Sequence, residues 1–505
     1  MRSRGWAMIA GVVAGAVVLG ASDLAALATA PESAPITAVG SWLIDIAPPA
    51  VKDAMIAAFG TGDKPVLIGI LVVLLAIGSA GAGLLELRRR WAGVILMVVV
   101  ALGVAVAVIT RAGAQVDWFG PVAIGTAAGA FVLRLLVGRL RTARDEGTGP
   151  SRRSFLVTAS VAGAAAAVAV VAGRALAGAA QAADRARALL RLPAAADPAA
   201  AVPASADLGI DGLAPYVTPN LDFYRIDTAL VVPNVDAAQW SLRIHGLVER
   251  EVEITFEQLL ALPLVERHVT LACVSNEVGG TLIGNALWLG YPIRSLLEQA
   301  GVRPEADMVL SRSVDGFTAG TPLEVLQDAG RDSLLAVGMN GEPLPVEHGY
   351  PVRMVVPGLY GYVSATKWVV ELEVTRFDAV TAYWTDRGWS AEGPIKTQSR
   401  IDVPSRAGTV PAGERMIAGV AWAQHTGIER VEVRVDGGAW QEAALAGSVS
   451  DDTWVQWSLP WTADAGEHEL QVRATDRTGA TQTSEEQGVV PDGATGWHTV
   501  RVTVG

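Results

Sequence analysis

The chain of 505 residues contains one cysteine, Cys273, in the stretch VTLACVSNEVGG at 269–280. A nucleophilic cysteine needs a base such as histidine and a third group to orient it. His268 and His348 are available, but their spacing does not place either beside the thiol. A zinc site needs several Cys and His at short spacing, and no such cluster occurs. Two further interpretations remain: a thiolate on a metal whose other ligands come from a cofactor, and a small buried hydrophobe.

A second group of chemically capable residues lies in NGEPLPVEHGYPVRMVVPGLYGYVSATKW at 340–368, which contains His348, Arg353 and Lys367. Glycine and proline interrupt the segment so often that neither a helical nor a strand pattern persists. Three donors on an irregular segment suit a large anionic ligand with phosphate and ring nitrogens. The alternative is a salt-bridged surface loop, which does not explain glycines that permit close backbone approach.

The elements that must position these residues are typical of an α+β domain over 216–403. WSLRIHGLV alternates like a strand, TFEQLLALP resembles a short helix, and PIRSLLEQAGV ends a helix at Gly301. The chain has no regular strand–helix–strand repeat and no phosphate-binding glycine fingerprint, so Rossmann and P-loop folds have little support. Residues 404–505 contain period-two runs between Gly, Asp and Pro turns, which predicts an immunoglobulin-like β-sandwich.

The first 205 residues are dominated by Ala, Val, Leu and Gly. Five stretches are long and apolar enough to span a bilayer, at 6–29, 66–86, 92–111, 118–138 and 155–177. The predicted fold is therefore a multi-domain chain with an α-helical transmembrane region before the α+β domain and the sandwich. The N-terminal boundaries that we predict are a four-span domain at 1–148, a fifth span at 149–178 and an Ala/Pro-rich linker at 179–215.

The arginines of the short loops predict the topology. MRSR, LRRRW and GRLRTARDEGTGPSRRS fall on one side of five spans, so the positive-inside rule places residues after 177 outside the cytoplasm. SRRSFLV, with Arg152 and Arg153, resembles a twin-arginine export signal. The alternative is that these two arginines are ordinary cytoplasmic anchors.

Charge and histidine content argue against two kinds of partner. A net charge of −12 and a pI near 5.1 do not provide the basic face that nucleic acid requires. No histidine precedes His245, so paired histidines cannot bind haem between the predicted spans. We therefore expect no haem in this chain and a separate electron-transfer protein as redox partner.

Two long blocks, LACVSNEVGG…LIGNALWLGYPIRSLLEQAGV and GEPLPVEHGYPVRMVVPGLYGYVSATKWVVELEV, resemble the sulfite oxidase family of molybdopterin enzymes. The resemblance covers about 216–403, and the sandwich is similar to that family's C-terminal dimerisation domain, which implies a homodimer. It also implies that Cys273 is the thiolate on molybdenum, beside the two sulfurs of the pterin dithiolene. The other cofactor-binding residues that the resemblance implies are Phe223, Tyr224, Arg225, Asp315, His348, Arg353, Ser364, Thr366 and Lys367.

The chain departs from the sulfite-oxidising members near the metal. Val278 stands where they have an arginine, five residues after the cysteine, and Trp389 stands in place of their active-site tyrosine. Three other arginines, Arg312, Arg387 and Arg400, are expected to line a substrate pocket. Loss of one cation and one hydroxyl argues against a small dianion such as sulfite as the natural substrate.

We therefore predict a membrane-anchored, extracytoplasmic molybdenum oxidoreductase that transfers an oxygen atom to or from a small substrate, as sulfite oxidases and sulfoxide reductases do. Cys273, Arg312 and Trp389 are its predicted catalytic residues. One alternative is a non-enzymatic, membrane-anchored interaction protein with a metal-free middle domain. Another is a cysteine hydrolase, in which Cys273 would react with thiol reagents.

Overall fold

A computed structural model of the protein describes residues 2–30, 33–48, 62–111, 114–145, 187–405 and 409–505, with isolated positions between 51 and 59 and between 157 and 164. The chain divides into two compact units, Met1–Ala182 with Thr228–Val232, and Ala183–Asp227 with Pro233–Gly505. Arg152, Arg153 and nearly all of the predicted fifth span lie outside the described residues.

The first unit is helical. The bounds of its described helices are α1 (Arg2–Ala26), α2 (Pro35–Ile46), α3 (Asp63–Arg88), α4 (Ala92–Ile109) and α5 (Phe119–Asp145), with a 3-10 turn at Val116–Trp118. Four helices have the length and apolar composition needed to cross a membrane, at Ser3–Ala26, Asp63–Arg88, Ala92–Ile109 and Val116–Thr142. These coincide with four of the five predicted spans.

Small residues allow the long helices to approach closely. Gly11 of α1 lies so near the backbone of Ser79 in α3 that a Cβ there would overlap the Ser79 carbonyl oxygen. Gly125 of α5 lies in the same way against the hydroxyl of Ser22 in α1. Helices in lipid associate through such small-residue contacts, because lipid chains leave little hydrophobic driving force between helices.

Two sheets form the α+β part of the second unit. The first has the order β2-β1-β10-β5-β6 and the second has the order β3-β4-β7-β8, with β9 paired to β7. The bounds of these strands are β1 (Ser241–Gly246), β2 (Val252–Thr255), β3 (Val265–Ala272), β4 (Ile283–Pro292), β5 (Met308–Ser313), β6 (Thr318–Pro322), β7 (Leu334–Met339), β8 (Glu342–Pro343), β9 (Arg353–Val355) and β10 (Val369–Thr375). The helices between them are α6 (Phe256–Leu260), α7 (Ile293–Ala300), α8 (Leu323–Gln327) and α9 (Gly361–Ser364).

Local sequence signals account for these elements. Thr255 caps α6 through a capping box with Gln258, which satisfies two backbone donors that a helix start leaves free. Helix α7 ends at Gly301 in the left-handed conformation, as the sequence predicts. The three segments singled out as strand, helix and helix in this domain are all confirmed.

Two further sheets share one hydrophobic core at the C-terminal end. Their orders are β11-β13-β17-β16 and β12-β19-β18-β14-β15. Buried Ile417 and Trp457 of one sheet pack with Val433 and Leu470 of the other, so the pair forms a two-sheet sandwich. The strand bounds are β11 (Gln398–Val403), β12 (Thr409–Val410), β13 (Gly413–Trp422), β14 (Ile428–Val435), β15 (Gln441–Glu442), β16 (Ala444–Leu445), β17 (Val455–Ala463), β18 (Gly466–Asp476) and β19 (His498–Val504).

The sandwich and the α+β part belong to one compact unit, although the sequence suggests two domains. Val420, Trp422 and Trp454 of the sandwich are buried in the main core of the α+β part. The fully buried Thr270 hydroxyl of β3 accepts a hydrogen bond from Trp454 N at 2.8 Å and donates one to Asn285 Oδ1 at 3.1 Å. Shared packing and shared hydrogen bonds thus join the two parts.

The Ala/Pro-rich segment also differs from its predicted role as a tether. Where it is described, from residue 187, it runs over the second unit. Ala196 N donates to Leu264 O at 2.7 Å, and Leu208 N donates to Gln456 Oε1 at 2.7 Å. Prolines keep this segment extended, so the amides of its other residues lack partners within the segment, and here acceptors of the domain satisfy two of them.

Candidate functional site

Cys273 directly follows β3, at the point where the chain leaves the second sheet. Its backbone N donates to Leu282 O at 2.9 Å, and its carbonyl accepts from Asn276 N at 3.0 Å. Burial raises the pKa of the Cys273 thiol, with hydrogen bonds from Ser275 acting in the opposite direction. Without a metal the thiol is therefore neutral, and a neutral thiol is a poor nucleophile for the hydrolase alternative.

Asn276 shapes the loop after the cysteine and was not singled out by sequence reasoning. Its Oδ1 accepts from Leu282 N at 2.8 Å, and a Cβ on Gly280 would lie only 2.6 Å from that oxygen. Its Nδ2 is buried without a hydrogen-bond partner among the described residues. A buried unpaired amide donor three residues from the cysteine favours a ligand with an acceptor atom here.

An aromatic wall stands beside this loop. Phe223 stacks on Tyr224 with ring centroids 5.2 Å apart, and it meets the rings of Trp288 and His348 edge-on at 5.8 and 5.6 Å. A Cβ at position 284 of β4 would lie 2.8 Å from the Phe223 ring, so this position accommodates only glycine. The predicted segment LDFYRID is thus brought next to the predicted His348.

Arg353 is the strongest sign of an anionic ligand. Its side chain is buried, with Nη1 donating to His348 O at 3.1 Å and its guanidinium 5.0 Å from the Trp288 ring centroid. Burial lowers its pKa to about 10, with Tyr224 acting in the opposite direction. In the described part of the chain no carboxylate forms an ion pair with it. A buried cation without an anion is costly, and a phosphate group would supply the missing charge.

His348 and Lys367 lie on the same irregular segment and are both buried. His348 Nε2 lies 3.0 Å from Asn220 O, and a carbonyl only accepts, so Nε2 carries the proton. Burial lowers the pKa of His348 to about 4, so the ring is neutral at pH 7. Lys367 Nζ donates to Asp227 Oδ2 at 2.8 Å, and burial lowers its pKa to about 8 although Asp227 opposes the shift.

Two predicted hydroxyls are used within the protein. Ser364 Oγ donates to Tyr360 O at 2.9 Å, and Thr366 Oγ1 lies 2.7 Å from Ser311 Oγ; both side chains are fully buried. Both lie in the three residues that precede Lys367, where they fix the backbone. Their contact with a cofactor stays a prediction.

Three other predicted residues have partners on more open faces. Arg312 alternates with buried Ser311 along β5, so its side chain points to the opposite face, where its Nε lies 3.2 Å from Glu371 Oε2. Arg225, 41% exposed, pairs with Asp227. Asp315 Oδ1 accepts from Phe317 N at 3.2 Å in the turn between β5 and β6. Their functional roles stay predictions, and for Arg312 these contacts give no support.

Trp389 is buried, and its ring lies 5.8 Å from that of Tyr362 and 6.0 Å from that of Trp384. The Tyr362 hydroxyl donates to Ser390 O at 2.8 Å, which ties the Trp389 segment to α9. The described contacts of Trp389 are therefore those of a core residue, and its catalytic role remains a prediction.

Residues of the C-terminal sandwich border the cysteine loop. The sequence did not indicate this contact. Gly493 lies against the Tyr360 hydroxyl, where a Cβ would be 2.7 Å away. A Cβ on Gly496 would lie 3.3 Å from Glu486 Cγ and 3.7 Å from Val278 Cγ2. Residues more than 200 positions from the cysteine therefore border the loop.

Comparisons with known proteins identify the kind of domain in which this site lies. Residues 229–384 match the family described as oxidoreductase molybdopterin binding domain. Rat mitochondrial sulfite oxidase is 31% identical over 303 residues, 51% of this chain and 55% of the relative, so the chain spans about half the length of the sulfite oxidases that it matches.

Two further relatives extend the comparison. The uncharacterized oxidoreductase YuiH of Bacillus subtilis is 34% identical over 158 residues, covering 31% of this chain and 76% of the relative. The crystal structure of the sulfane dehydrogenase SoxCD from Paracoccus pantotrophus matches with a TM-score of 0.50 at 27% identity, over 59% of this chain and 85% of that chain. From the matched domain, the relatives and the geometry around Cys273 it follows that the chain belongs to the sulfite oxidase family of molybdopterin-dependent oxidoreductases.

Proposed function

We propose that the protein is a membrane-anchored, extracytoplasmic oxidoreductase that transfers an oxygen atom to or from a small substrate without a dianionic charge. The observation that carries the proposal is a pair of buried groups near Tyr224, the neutral thiol of Cys273 and the guanidinium of Arg353, which has no carboxylate partner in the described chain. A thiol in this setting suits a metal held mainly by its cofactor, and the guanidinium suits that cofactor's phosphate.

The residues fit a molybdopterin group, and their roles follow from their chemistry. Bound molybdopterin supplies two-electron oxygen-atom transfer. The Cys273 thiolate would hold the metal, Arg353 would pair with phosphate, and neutral His348 would offer Nδ1 as an acceptor. Lys367, already beside Asp227, would add a second cation for the anionic part of the cofactor. Phe223 and Trp288 would exclude water from the same pocket.

The border of the cysteine loop supports a substrate that is not a dianion. Val278 replaces the arginine of sulfite-oxidising members, and both Val278 Cγ2 and Glu486 Cγ lie within 4 Å of the position that a Cβ on Gly496 would take. Glu277, which lies on the cysteine loop itself, adds a second carboxylate to this border, and like Glu486 it is exposed. These two carboxylates, together with a valine in place of the arginine, repel a dianion such as sulfite more than a neutral sulfoxide.

The distribution of arginines supports the membrane location. Helix α3 ends at Arg88, and Arg139 and Arg141 lie in the last two turns of α5, while the opposite helix ends carry few cations. The positive-inside rule then places the arginine-rich ends in the cytoplasm and, with a fifth span at 155–177, the second unit outside. The sandwich, as an immunoglobulin-like dimerisation domain, is part of the same proposal.

Metal and pterin analysis of the purified protein tests the function. We expect one molybdenum and one pterin per chain, with molybdenum lost in Cys273→Ser while the protein stays folded by circular dichroism. Absence of both groups after expression in a cofactor-replete host would exclude the proposal. The loaded protein is then assayed for sulfite oxidation with ferricyanide and for methionine sulfoxide reduction with reduced viologen. Turnover of the sulfoxide in excess of sulfite is expected.

A further inference from the structure

The helical unit contains a partly open cavity of about 310 Å³ that none of the catalytic residues uses. Each of its five named helices contributes to the wall. The wall is almost entirely aliphatic, and among the described residues no charged side chain lines it. The lining residues include Val18 and Ser22 of α1 and one residue from each of the other four helices: Val39, Leu75, Ala101 and Thr126.

The cavity is elongated along the bundle. Its lining on α4 runs from Leu96 to Val104, a rise of roughly 12 Å at 1.5 Å per residue. At one end it reaches Val122 in the first turn of α5 and Ser22 near the end of α1. Those helix ends are opposite the arginine-rich ends, so this end lies toward the outer leaflet in the proposed topology.

Ser22 provides the polar atom at that end. Its side chain is fully buried, and its Oγ has no hydrogen-bond partner among the described residues. A serine in a spanning helix usually bonds to the carbonyl four residues earlier, which for Ser22 would be Val18 O. A hydroxyl left unpaired in an apolar medium is costly, so an acceptor atom from a ligand would stabilise this arrangement.

These features select the ligand class. An apolar cavity of about 150 Å³ holds a benzene molecule, so roughly twice that volume holds a substituted ring with the start of a tail. The hydrocarbon tail of a lipid carries no acceptor for Ser22, and its ester carbonyls are attached to a charged headgroup that finds no partner in an uncharged wall. We propose that the cavity binds an isoprenoid quinone, with one ring carbonyl accepting the hydrogen bond of Ser22 Oγ and the tail lying along α4.

Such a quinone would replace a separate protein as the electron partner. Oxidation of a substrate by addition of an oxygen atom from water releases two electrons and two protons, and these convert one quinone to one quinol; sulfoxide reduction would run the same exchange in reverse. This redox role rests on the function proposed above, whereas binding of the quinone does not.

Binding of a decyl-tailed benzoquinone to the full-length protein in nanodiscs, measured by titration calorimetry, tests the site. We expect saturable binding that Ser22→Ala weakens roughly three- to tenfold, the effect of one hydrogen bond. Ala101→Phe fills the cavity and should abolish binding. Gly103→Leu is the matched control, because Gly103 lies on the same helix with open space around it, and it should bind like the wild type.

Three outcomes would overturn the proposal: equal binding of decylbenzene, which lacks the carbonyls; equal binding by the wild type and Ala101→Phe; or unchanged affinity in Ser22→Ala. Molybdenum content is measured in the same preparations. Quinone binding without molybdenum contradicts the proposed enzyme function alone. Molybdenum without saturable quinone binding contradicts the cavity proposal alone.

Discussion

Arg400 Nη1 donates a hydrogen bond to Gly280 O at 2.8 Å, and Gly280 closes the loop that begins at Cys273. Arg400 lies on β11, the first strand of the sandwich, and its Nε pairs with Asp402 Oδ1 at 2.6 Å. Both charged side chains are no more than 10% exposed. The sandwich therefore contacts the cysteine loop through a hydrogen bond from a buried arginine, and Asp402 of the same strand holds that arginine.

Arg400→Met should loosen this loop. The substitution leaves Asp402 buried without its cation and Gly280 O without its donor, and loss of one partner of a buried pair costs about 3–5 kcal/mol. We expect a lower melting temperature and reduced molybdenum content. Arg415→Met is the control, because Arg415 is only half-buried and its guanidinium donates to backbone carbonyls near its own turn. Full metal content in Arg400→Met would show that the loop does not depend on the sandwich.

Thr270→Val should separate the sandwich from the α+β part. Valine keeps the volume but leaves Trp454 N and Asn285 Oδ1 unpaired in the interior, at about 1–3 kcal/mol each. We expect the single unfolding transition of the second unit to shift to lower denaturant. Thr462→Val, at an exposed hydroxyl that bonds Glu414, should change little. Equal transitions for both variants would contradict the coupling.

Arg353→Met should have opposite effects on the cofactor-free and the loaded protein. Without cofactor, the buried guanidinium lacks an anionic partner, so an apolar side chain of similar length should stabilise the fold by about 1–4 kcal/mol. With cofactor, the phosphate loses its partner, and the pterin content of the purified protein should fall. Destabilisation of the cofactor-free form would show that Arg353 is held by the protein rather than reserved for a ligand.

Lys367 predicts a pH dependence for the cofactor-free protein. Its pKa is about 8 when folded, against an ordinary value of 10.5, because burial outweighs the attraction of Asp227. Between pH 8 and 10.5 the unfolded chain binds a proton that the folded chain does not, so stability rises with pH across this window. The rise is about 3 kcal/mol and is absent below pH 8. Denaturant titrations of the wild type and Lys367→Met should therefore diverge above pH 8, and parallel curves would contradict the shift.

The sequence predicted the residues of the cofactor pocket better than it predicted the partners that hold those residues in place. His348, Arg353 and Phe223 do come together, and Tyr224, stacked on Phe223, is close enough to Cys273 for the two to interact electrostatically. The hydroxyl of Thr366 finds its partner 55 residues earlier in Ser311, and no local pattern encodes such a pairing.

Two other features were equally out of reach of the sequence. The face of Arg312 depends on the register of β5, in which a shift of one residue reverses every side chain. The contacts of Gly496 with the cysteine loop depend on how the sandwich packs, which hydrophobic periodicity does not determine.

Val278→Arg should make the site accept sulfite. The new guanidinium would restore the cation of the sulfite-oxidising members, although it would also stand near Glu486. The attraction between this guanidinium and a sulfite a few ångströms away is worth about 1.4 kcal/mol or more at the effective dielectric of a protein surface. We expect kcat/KM for sulfite to rise about tenfold through KM, and to rise further with Glu486→Gln added, because the carboxylate no longer competes for the arginine. Val278→Leu adds bulk without charge and should show no gain. A gain in Val278→Leu, or none in either arginine variant, would mean that charge at this border does not select the substrate.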